Sequence, residues 1–270
     1  MKRILGLYKI LVISLVIIFI SGCEDYFEFS PYAANVKDSY KNLDEKNMNK
    51  LLSYDDGTSE EIKFAVLADS HYDYHELDEA LVNINAIKDI DFVIVNGDIA
   101  DHGYLKEYEL FHEKMKRLNI PYLTVIGNHD YRSNGIEIYK EMYGEPNKSF
   151  VFNNMLFILF DDVFWESNKN PDMEWLEKEL KSSDQYNNCF VFAHIPPYSD
   201  QFTEQKGNEY EQLMDSYNVD LSIHGHVHEY IYDENGIGET SYLAVESIKD
   251  KEFVVITVLD NSYSVKQVKY

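Results

Sequence analysis

Residues 64–71 read FAVLADSH, five apolar residues that lead directly into an acid, a serine and a histidine. A short apolar run with no polar residue inside it is typical of a strand that is buried on both faces of a sheet. The run Phe92–Val95 repeats this pattern, Tyr122–Ile126 does so with Thr124 as its one polar residue, and each is again followed by polar residues. The sequence therefore predicts buried strands whose polar residues collect at the C-terminal ends.

Segments with helical spacing separate these strands. Leu77–Ile87 and Leu105–Leu118 place apolar residues three and four positions apart, which is the spacing of one helix face. Later segments continue the alternation, with helices expected at Ile136–Tyr143, Pro171–Leu180 and Tyr210–Tyr217, and strands at Phe150–Phe152, Leu156–Phe160, Phe190–Phe192 and Leu221–Ile223. The tail over 242–268 is rich in strand-forming residues. Strands alternating with helices, then strands alone, predict an α/β fold that ends in a β segment.

The first 22 residues have the pattern of an export signal. Lys2 and Arg3 precede an almost unbroken apolar run over Ile10–Ile20, and two small residues lead to Cys23. The last four residues of this stretch, ISGC, resemble the bacterial lipobox, which implies cleavage before Cys23 and a lipid on that cysteine. An uncleaved N-terminal anchor is the alternative. In both cases we expect an exported, membrane-anchored protein on the periplasmic or cell-surface side.

The composition of the remaining chain indicates two parts, a polar N-terminal segment and a folded domain. Residues 23–60 are polar and are predicted to form a tether, with a short helix over Asn42–Leu52, and residues 61–270 are predicted to form the folded domain.

The formal net charge is −24, and no stretch rich in lysine and arginine offsets it. Because this charge repels polyanions, no long nucleic acid is expected as a partner. A small phosphorylated substrate can still bind where local cations neutralise the pocket.

Five polar motifs follow the apolar runs. In chain order they are Asp69-Ser-His71, Gly97-Asp98-Ile-Ala-Asp101, Gly127-Asn128-His129-Asp130, His194 and Gly225-His226-Val-His228. In open α/β sheets, the edge at the C-terminal ends of the strands is where ligands bind. Imidazole and carboxylate groups together are suited to divalent transition metals. The alternation in His226-Val-His228 directs both imidazoles to one side if that segment is extended.

This set of motifs, in this order, resembles the calcineurin-like metallophosphoesterase family over Phe64 to about Tyr230. The resemblance implies an α/β/β/α sandwich in which helices flank two mixed β-sheets. It also implies two divalent metal ions, with Mn, Fe or Zn expected, and Asp98 as the ligand shared by both. By this resemblance, one ion is held by Asp69, His71, Asp98 and His228, and the other by Asp98, Asn128, His194 and His226.

The resemblance also implies a reaction, in which a hydroxide bridging the two metals attacks phosphorus in line. His129 would then be the proton donor near the leaving oxygen, and Asp101 would orient it. Asp130 is expected to hydrogen-bond its own loop. His75, His102 and His112 are expected to be solvated, and of these His102, beside Asp101, is the best placed to line the cleft. Phosphomonoesters and small phosphodiesters both remain open as substrates, because the metal motifs serve both.

Two other classes of function compete with the hydrolase hypothesis. One is a non-catalytic lipoprotein that uses the fold for binding or as a scaffold, and the other is a plain metal-binding protein. A degenerate scaffold is expected to lose ligands, yet all motif residues are present. Metal storage does not need His129 and Asp101. The sequence therefore favours the enzyme, and no motif in it specifies an oligomeric state.

Overall fold

The computed structural model of the chain describes Ser30, residues 33–234 and residues 238–270. The described residues from Ala34 to Tyr270 form one compact unit. The predicted signal peptide and the predicted lipidation site Cys23 lie outside the described residues. Within the described part of the chain, no helix combines the length and the apolar character that a membrane crossing requires.

Eleven described strands form two mixed sheets. The strands are β1 (Glu61–Leu67), β2 (Phe92–Asn96), β3 (Tyr122–Val125), β4 (Lys148–Phe152), β5 (Met155–Phe160), β6 (Asn188–Ala193), β7 (Leu221–His224), β8 (Ile231–Asp233), β9 (Ser241–Ala244), β10 (Glu252–Leu259) and β11 (Ser262–Lys269). The five-stranded sheet has the order β11-β10-β1-β2-β3, and the six-stranded sheet has the order β4-β5-β6-β7-β9-β8. Strands β1, β2 and β3 are parallel to one another, as are β5, β6, β7 and β9.

Helices cover the outer face of each sheet. They are α1 (Leu43–Leu52), α2 (Tyr74–Ala86), α3 (Leu105–Met115), α4 (Gly135–Tyr143), α5 (Met173–Leu180) and α6 (Glu204–Ser216). The helices α2, α3 and α4 share an apolar cluster with the outer face of the five-stranded sheet. The helices α5 and α6 share another with the outer face of the six-stranded sheet. This arrangement confirms the expected helix–sheet–sheet–helix layers.

The apolar runs of the sequence become strands because both of their faces are covered. Side chains alternate along β1, so Phe64 and Val66 face the second sheet while Ala65 and Leu67 face the helices. The ring of Phe64 stacks on Phe92 of β2, with 5.1 Å between centroids. Across the interface between the sheets it meets Phe157 of β5 edge-on at 5.6 Å. The two sheets thus bury a shared aromatic core that holds their strand ends in place.

Turn residues and helix caps determine where strands and helices begin and end, which the spacing of apolar residues predicts only roughly. Asn153 and Asn154 join β4 to β5 with φ of 47° and 59°, the left-handed pair that a tight hairpin needs, and this confirms the predicted turn. Helix α6 begins at Glu204, six residues before the predicted start at Tyr210. The Thr203 side chain accepts a hydrogen bond from the amide of Lys206 there, so a polar cap starts this helix rather than its apolar face.

The compact unit begins at Ala34, whereas the sequence indicated a domain boundary at residue 61. The predicted helix in this segment is confirmed as α1, but it packs against β3 and α4. Leu43 and Leu51 are buried, as is Asp44, whose carboxylate accepts hydrogen bonds from the amide and hydroxyl of Thr124 at 3.2 and 2.9 Å. The polar composition of the segment conceals this short buried face. One consequence is that α1 covers β3, the edge strand of its sheet.

Candidate metal centre

The predicted ligands come together where strands of both sheets end. Asp69, Asp98 and Asn128 follow β1, β2 and β3, while His194 follows β6 and the last two histidines follow β7. Their ligand atoms form overlapping groups within 4.8 Å of one another, namely Asp69 with His71 and His228, His71 with Asp98 and His129, and Asp98 with His194 and His226. Two of these groups each contain three of the four residues of one predicted ligand set, since the first lacks Asp98 and the third lacks Asn128. The sheet topology therefore assembles the site that the motifs indicated.

Asp98 lies between the two groups of imidazoles. Its Oδ2 is 3.8 Å from Nε2 of His71 and 3.3 Å from Nε2 of His194. Its Oδ1 accepts a hydrogen bond from the backbone amide of His129 at 2.9 Å, which fixes the carboxylate plane. One oxygen thus faces ligands of both sets, as a bridging carboxylate must.

The electrostatics of the site favour a bound cation. The side chains of Asp98 and His194 are almost completely buried. Burial lowers the pKa of His194, but the Asp98 carboxylate beside it raises that pKa to about 10. Burial likewise raises the pKa of Asp98, yet His194 and neighbouring imidazoles hold it well below its usual range. Positive charge is therefore stabilised at this point.

His194 has one nitrogen committed and one free for a metal. Its Nδ1 donates to the backbone carbonyl of Asn96 at 2.9 Å, while its Nε2 is buried and has no hydrogen-bond partner. A histidine held in this way by its other ring nitrogen is typical of metal ligands. An orphaned, buried nitrogen that faces a buried carboxylate fits a divalent ion between them.

Asn128 and His226 complete this ligand set. Nδ1 of His226 lies 3.0 Å from Oδ1 of Asn128. The amide nitrogen of Asn128 donates to Oε1 of Glu166 at 3.1 Å, and this bond orients the amide so that its oxygen faces His226. Oxygen and imidazole nitrogen are both ligands that Mn, Fe and Zn accept.

The other ligand set centres on Asp69. Its Oδ1 is 3.2 Å from Nε2 of His228, and its Oδ2 accepts the backbone amide of His226 at 3.0 Å. The Nδ1 atom of His71 is buried without a hydrogen-bond partner. The side chain of His228 is 44% exposed whereas Asp69 is fully buried, so the centre opens to solvent on the His228 side.

The ligand-bearing turns have an unusual backbone. Five predicted ligands have positive φ, namely Asp69 (53°), His71 (43°), Asp98 (52°), His226 (69°) and His228 (50°). Left-handed conformations are uncommon outside glycine and cluster at functional sites. The segment after β7 is therefore not extended, which corrects the geometry considered for His226 and His228. Tight turns, rather than strand alternation, bring both imidazoles to the site.

His129 sits at the rim of the centre beside Asp101. Its Nδ1 lies 3.0 Å from Oδ1 of Asp101 and 2.9 Å from the backbone oxygen of the same residue. Its Nε2 lies 4.0 Å from Oδ2 of Asp98. The ring thus has one nitrogen held by Asp101 and the other turned toward Asp98. The catalytic role of the pair stays a prediction.

Three further acids organise the site. Asp130 accepts the backbone amides of Gly127 and Ala100, each at 2.9 Å, in agreement with the expected role within its loop. Asp162 accepts the amide of His194 at 3.2 Å, and Glu166 orients Asn128. The sequence reasoning missed the last two. Asp162 follows the apolar run of β5 and shows the same signal as the motif residues, whereas nothing in the sequence marks Glu166.

We expect Gly97→Ala to disrupt the site. Gly97 has φ +92°, and a Cβ there would lie 2.1 Å from Nδ1 of His194, so the ring must move and lose its bond to Asn96. Metal affinity should fall at least about 10- to 100-fold, as when other groups that orient a ligand are removed. Equilibrium dialysis against Mn²⁺ measures this. Gly144→Ala is the matched control, because Gly144 has φ +94° and open space around its Cβ position. An equal effect of both substitutions would show that backbone strain, and not the contact with His194, is responsible.

Comparisons with known proteins agree with this geometry. A sequence profile of the calcineurin-like phosphoesterase family matches residues 62–230. A protein of Arcobacter nitrofigilis, named as a probable glycerophosphodiester phosphodiesterase, is 32% identical over 187 residues, which are 60% of this chain and 66% of that protein. A 3′,5′-cyclic-nucleotide phosphodiesterase of Nostoc sp. is 28% identical over 152 residues, 52% of this chain and 57% of that protein. The match thus spans less than two thirds of either relative.

Solved structures share the fold at low sequence identity. The purple acid phosphatase of yellow lupin superposes with a TM-score of 0.62 and 18% identity, covering 79% of this chain and 52% of that one. A dimetal phosphatase of Danio rerio gives a TM-score of 0.62 and 13% identity, covering 77% and 97%. At such identities the similarity supports the fold alone. Together with the profile, which spans more than half of the sequence, it leads to one conclusion: this chain belongs to the calcineurin-like phosphoesterase family.

Proposed function

We propose that this protein is a metal-dependent phosphoester hydrolase with two divalent ions, acting on small phosphorylated molecules. The observation that carries the proposal is the position of Asp98, whose Oδ2 faces an imidazole of each ligand set. Between the two ester classes left open by the sequence, the names of the two curated relatives favour phosphodiesters. The proposed substrate class is therefore a small phosphodiester.

The residues at the centre define what each would contribute. Asp69, His71 and His228 would hold one ion, Asn128, His194 and His226 the other, and Asp98 both. When bound, such a pair of ions supplies a water of lowered pKa and neutralises charge on the phosphate oxygens. This positive charge offsets the strongly negative chain and admits an anionic substrate.

The chain itself would supply the proton for the leaving alcohol. Asp101 accepts the hydrogen on Nδ1 of His129, which leaves Nε2 as the nitrogen that faces the centre. A proton on Nε2 can pass to the departing oxygen as the phosphorus–oxygen bond breaks. The side chain of His129 is 22% exposed, so the product alcohol can leave to solvent and a new proton can reach the ring from solvent.

The test compares a diester with a monoester on the full-length protein. The protein is stripped with chelator, reloaded with Mn²⁺, and assayed with bis(4-nitrophenyl) phosphate and 4-nitrophenyl phosphate. We expect hydrolysis that disappears with chelator, returns with metal and is faster with the diester. A faster monoester reaction would reverse the assignment of ester class. If the reloaded protein hydrolyses neither ester, the enzyme proposal is wrong and the scaffold alternative gains support.

We also propose that the protein is exported and anchored by a lipid on Cys23. The support is the sequence pattern of residues 1–23, with its positive start, apolar run and lipobox-like end. Mass spectrometry of the N-terminal peptide from the natural host tests this directly. A diacylglycerol-modified Cys23 at the mature N-terminus is expected, and an unmodified peptide that begins at Met1 would refute the lipid and favour the uncleaved N-terminal anchor.

A further inference from the structure

His102 touches Asp101 on the side opposite His129. Nδ1 of His102 is 2.9 Å from Oδ2 of Asp101, while Oδ1 of the same carboxylate lies 3.0 Å from Nδ1 of His129. The three side chains therefore form a row, with the carboxylate held between two imidazoles. His102 is the most exposed member of the row at 55%, whereas Asp101 is 18% and His129 22% exposed.

The orientation of His102 is itself fixed. Glu107, near the start of α3, accepts the backbone amide of His102 at 3.1 Å and lies 3.3 Å from its ring Nδ1. The ring lies parallel to that of Tyr104, with 5.6 Å between centroids and 8° between planes. Because Nδ1 faces carboxylates of both Asp101 and Glu107, it is the nitrogen that carries hydrogen and donates.

Asp101 needs such a restraint because other partners compete for it. Its Oδ1 also lies 3.7 Å from Nδ1 of His71 and 3.9 Å from Nη1 of Arg132. A carboxylate free to rotate would divide its time among these groups. A donor on Oδ2 holds the plane in which Oδ1 meets His129. Partners that orient a catalytic group in this way contribute through geometry rather than through contact with the substrate.

We propose that His102 is a positioning residue, which fixes Asp101 so that His129 presents Nε2 to the leaving oxygen. The inference rests on the proposed function and adds a residue to it. His102 follows the last acid of its motif and touches no predicted metal ligand in the described contacts. Its removal should therefore affect proton donation and leave metal binding unchanged.

Substrates with different leaving groups can distinguish a positioning role of His102 from a purely structural one. A 4-nitrophenolate departs without a proton, whereas an alkoxide needs one in the transition state. Loss of a group that positions the proton donor should therefore slow an alkyl diester, and leave an aryl diester almost unchanged. A loss of structure would slow both.

The experiment uses the full-length, Mn²⁺-loaded protein with bis(4-nitrophenyl) phosphate and with a dialkyl phosphate. For His102→Ala we expect kcat for the alkyl ester to fall about tenfold, the low end of the range for groups that orient a ligand or a base. KM, metal content and the aryl rate should stay within about twofold. His102→Asn should restore most of the alkyl rate, because the asparagine amide nitrogen can occupy the position of the histidine Nδ1. His75→Ala, which removes an exposed histidine paired with Glu79 away from the site, is the matched control.

Several results would overturn the inference. An unchanged alkyl rate in His102→Ala would show that the contact with Asp101 has no catalytic effect. Equal losses with both esters, or no rescue by His102→Asn, would assign His102 a structural role only. If the wild-type protein hydrolyses neither ester, the proposed function fails first and the inference fails with it. If the wild type is active and His102→Ala matches it, only the inference fails.

Discussion

Asp98→Ala should remove both metal ions and reduce phosphoester hydrolysis by at least about 10³-fold, the scale at which loss of one preorganised electrostatic group acts. The carboxylate is 2% exposed and faces imidazoles of both ligand sets. Without it, the positive charge of either ion loses its shared counter-charge. The backbone amide of His129 also loses its acceptor, so the neighbouring motif loosens at the same time.

The measurement is metal per chain by plasma mass spectrometry, alongside turnover. The wild-type protein should retain about two ions per chain after dialysis, as a two-metal site requires. The Asp98→Ala variant should retain fewer than one ion per chain. Asp89→Ala is the matched control, because Asp89 is exposed and, like Asp98, has a left-handed backbone, with φ of 61° against 52°. The control corrects for any change in backbone strain. Two retained ions in Asp98→Ala would exclude a bridging role.

The position of the site was predictable because it depends on only two features. Apolar runs of about five residues indicate buried strands. Because neighbouring strands are parallel, their C-terminal ends then lie at the same edge of the sheet. Asp69, Asp98 and Asn128 each come directly after such a run or within a few residues of it, so their convergence needed no knowledge of side-chain contacts. The assignment of each to a particular ion, in contrast, came from the family resemblance.

The features that sequence reasoning missed depend on tertiary contacts. Glu166 lies in a segment without strand or helix pattern, and only the fold places its carboxylate 3.1 Å from the amide of Asn128. The left-handed turns at His226 and His228 have no local signal, because histidine does not demand that conformation as glycine does. The sequence predicted helix α1 but assigned it to a tether. Its packing against the domain was missed because only a few of its residues form the buried face.

His129→Ala should reduce the hydrolysis of an alkyl diester by about 10²- to 10⁴-fold, the usual contribution of a general acid or base. A ring nitrogen of His129 lies within 4.8 Å of ligand atoms of Asp98 and His71, so its geometry alone would also allow a metal-binding role. Its Nδ1, however, is committed to Asp101. A proton donor and a ligand differ in what their removal does. If His129 is the donor, both ions remain bound and 4-nitrophenyl esters lose far less activity than alkyl esters.

A double-mutant cycle completes this test. If His102 acts only through Asp101 and His129, His102→Ala should lower the alkyl rate in the wild-type background but cause no further loss when His129 is already alanine. Independent, additive losses would mean that His102 contributes by another route. Loss of one ion per chain in His129→Ala would instead make His129 a ligand. An alkyl rate equal to that of the wild type would remove His129 from the reaction, even though its Nδ1 lies 3.0 Å from Oδ1 of Asp101.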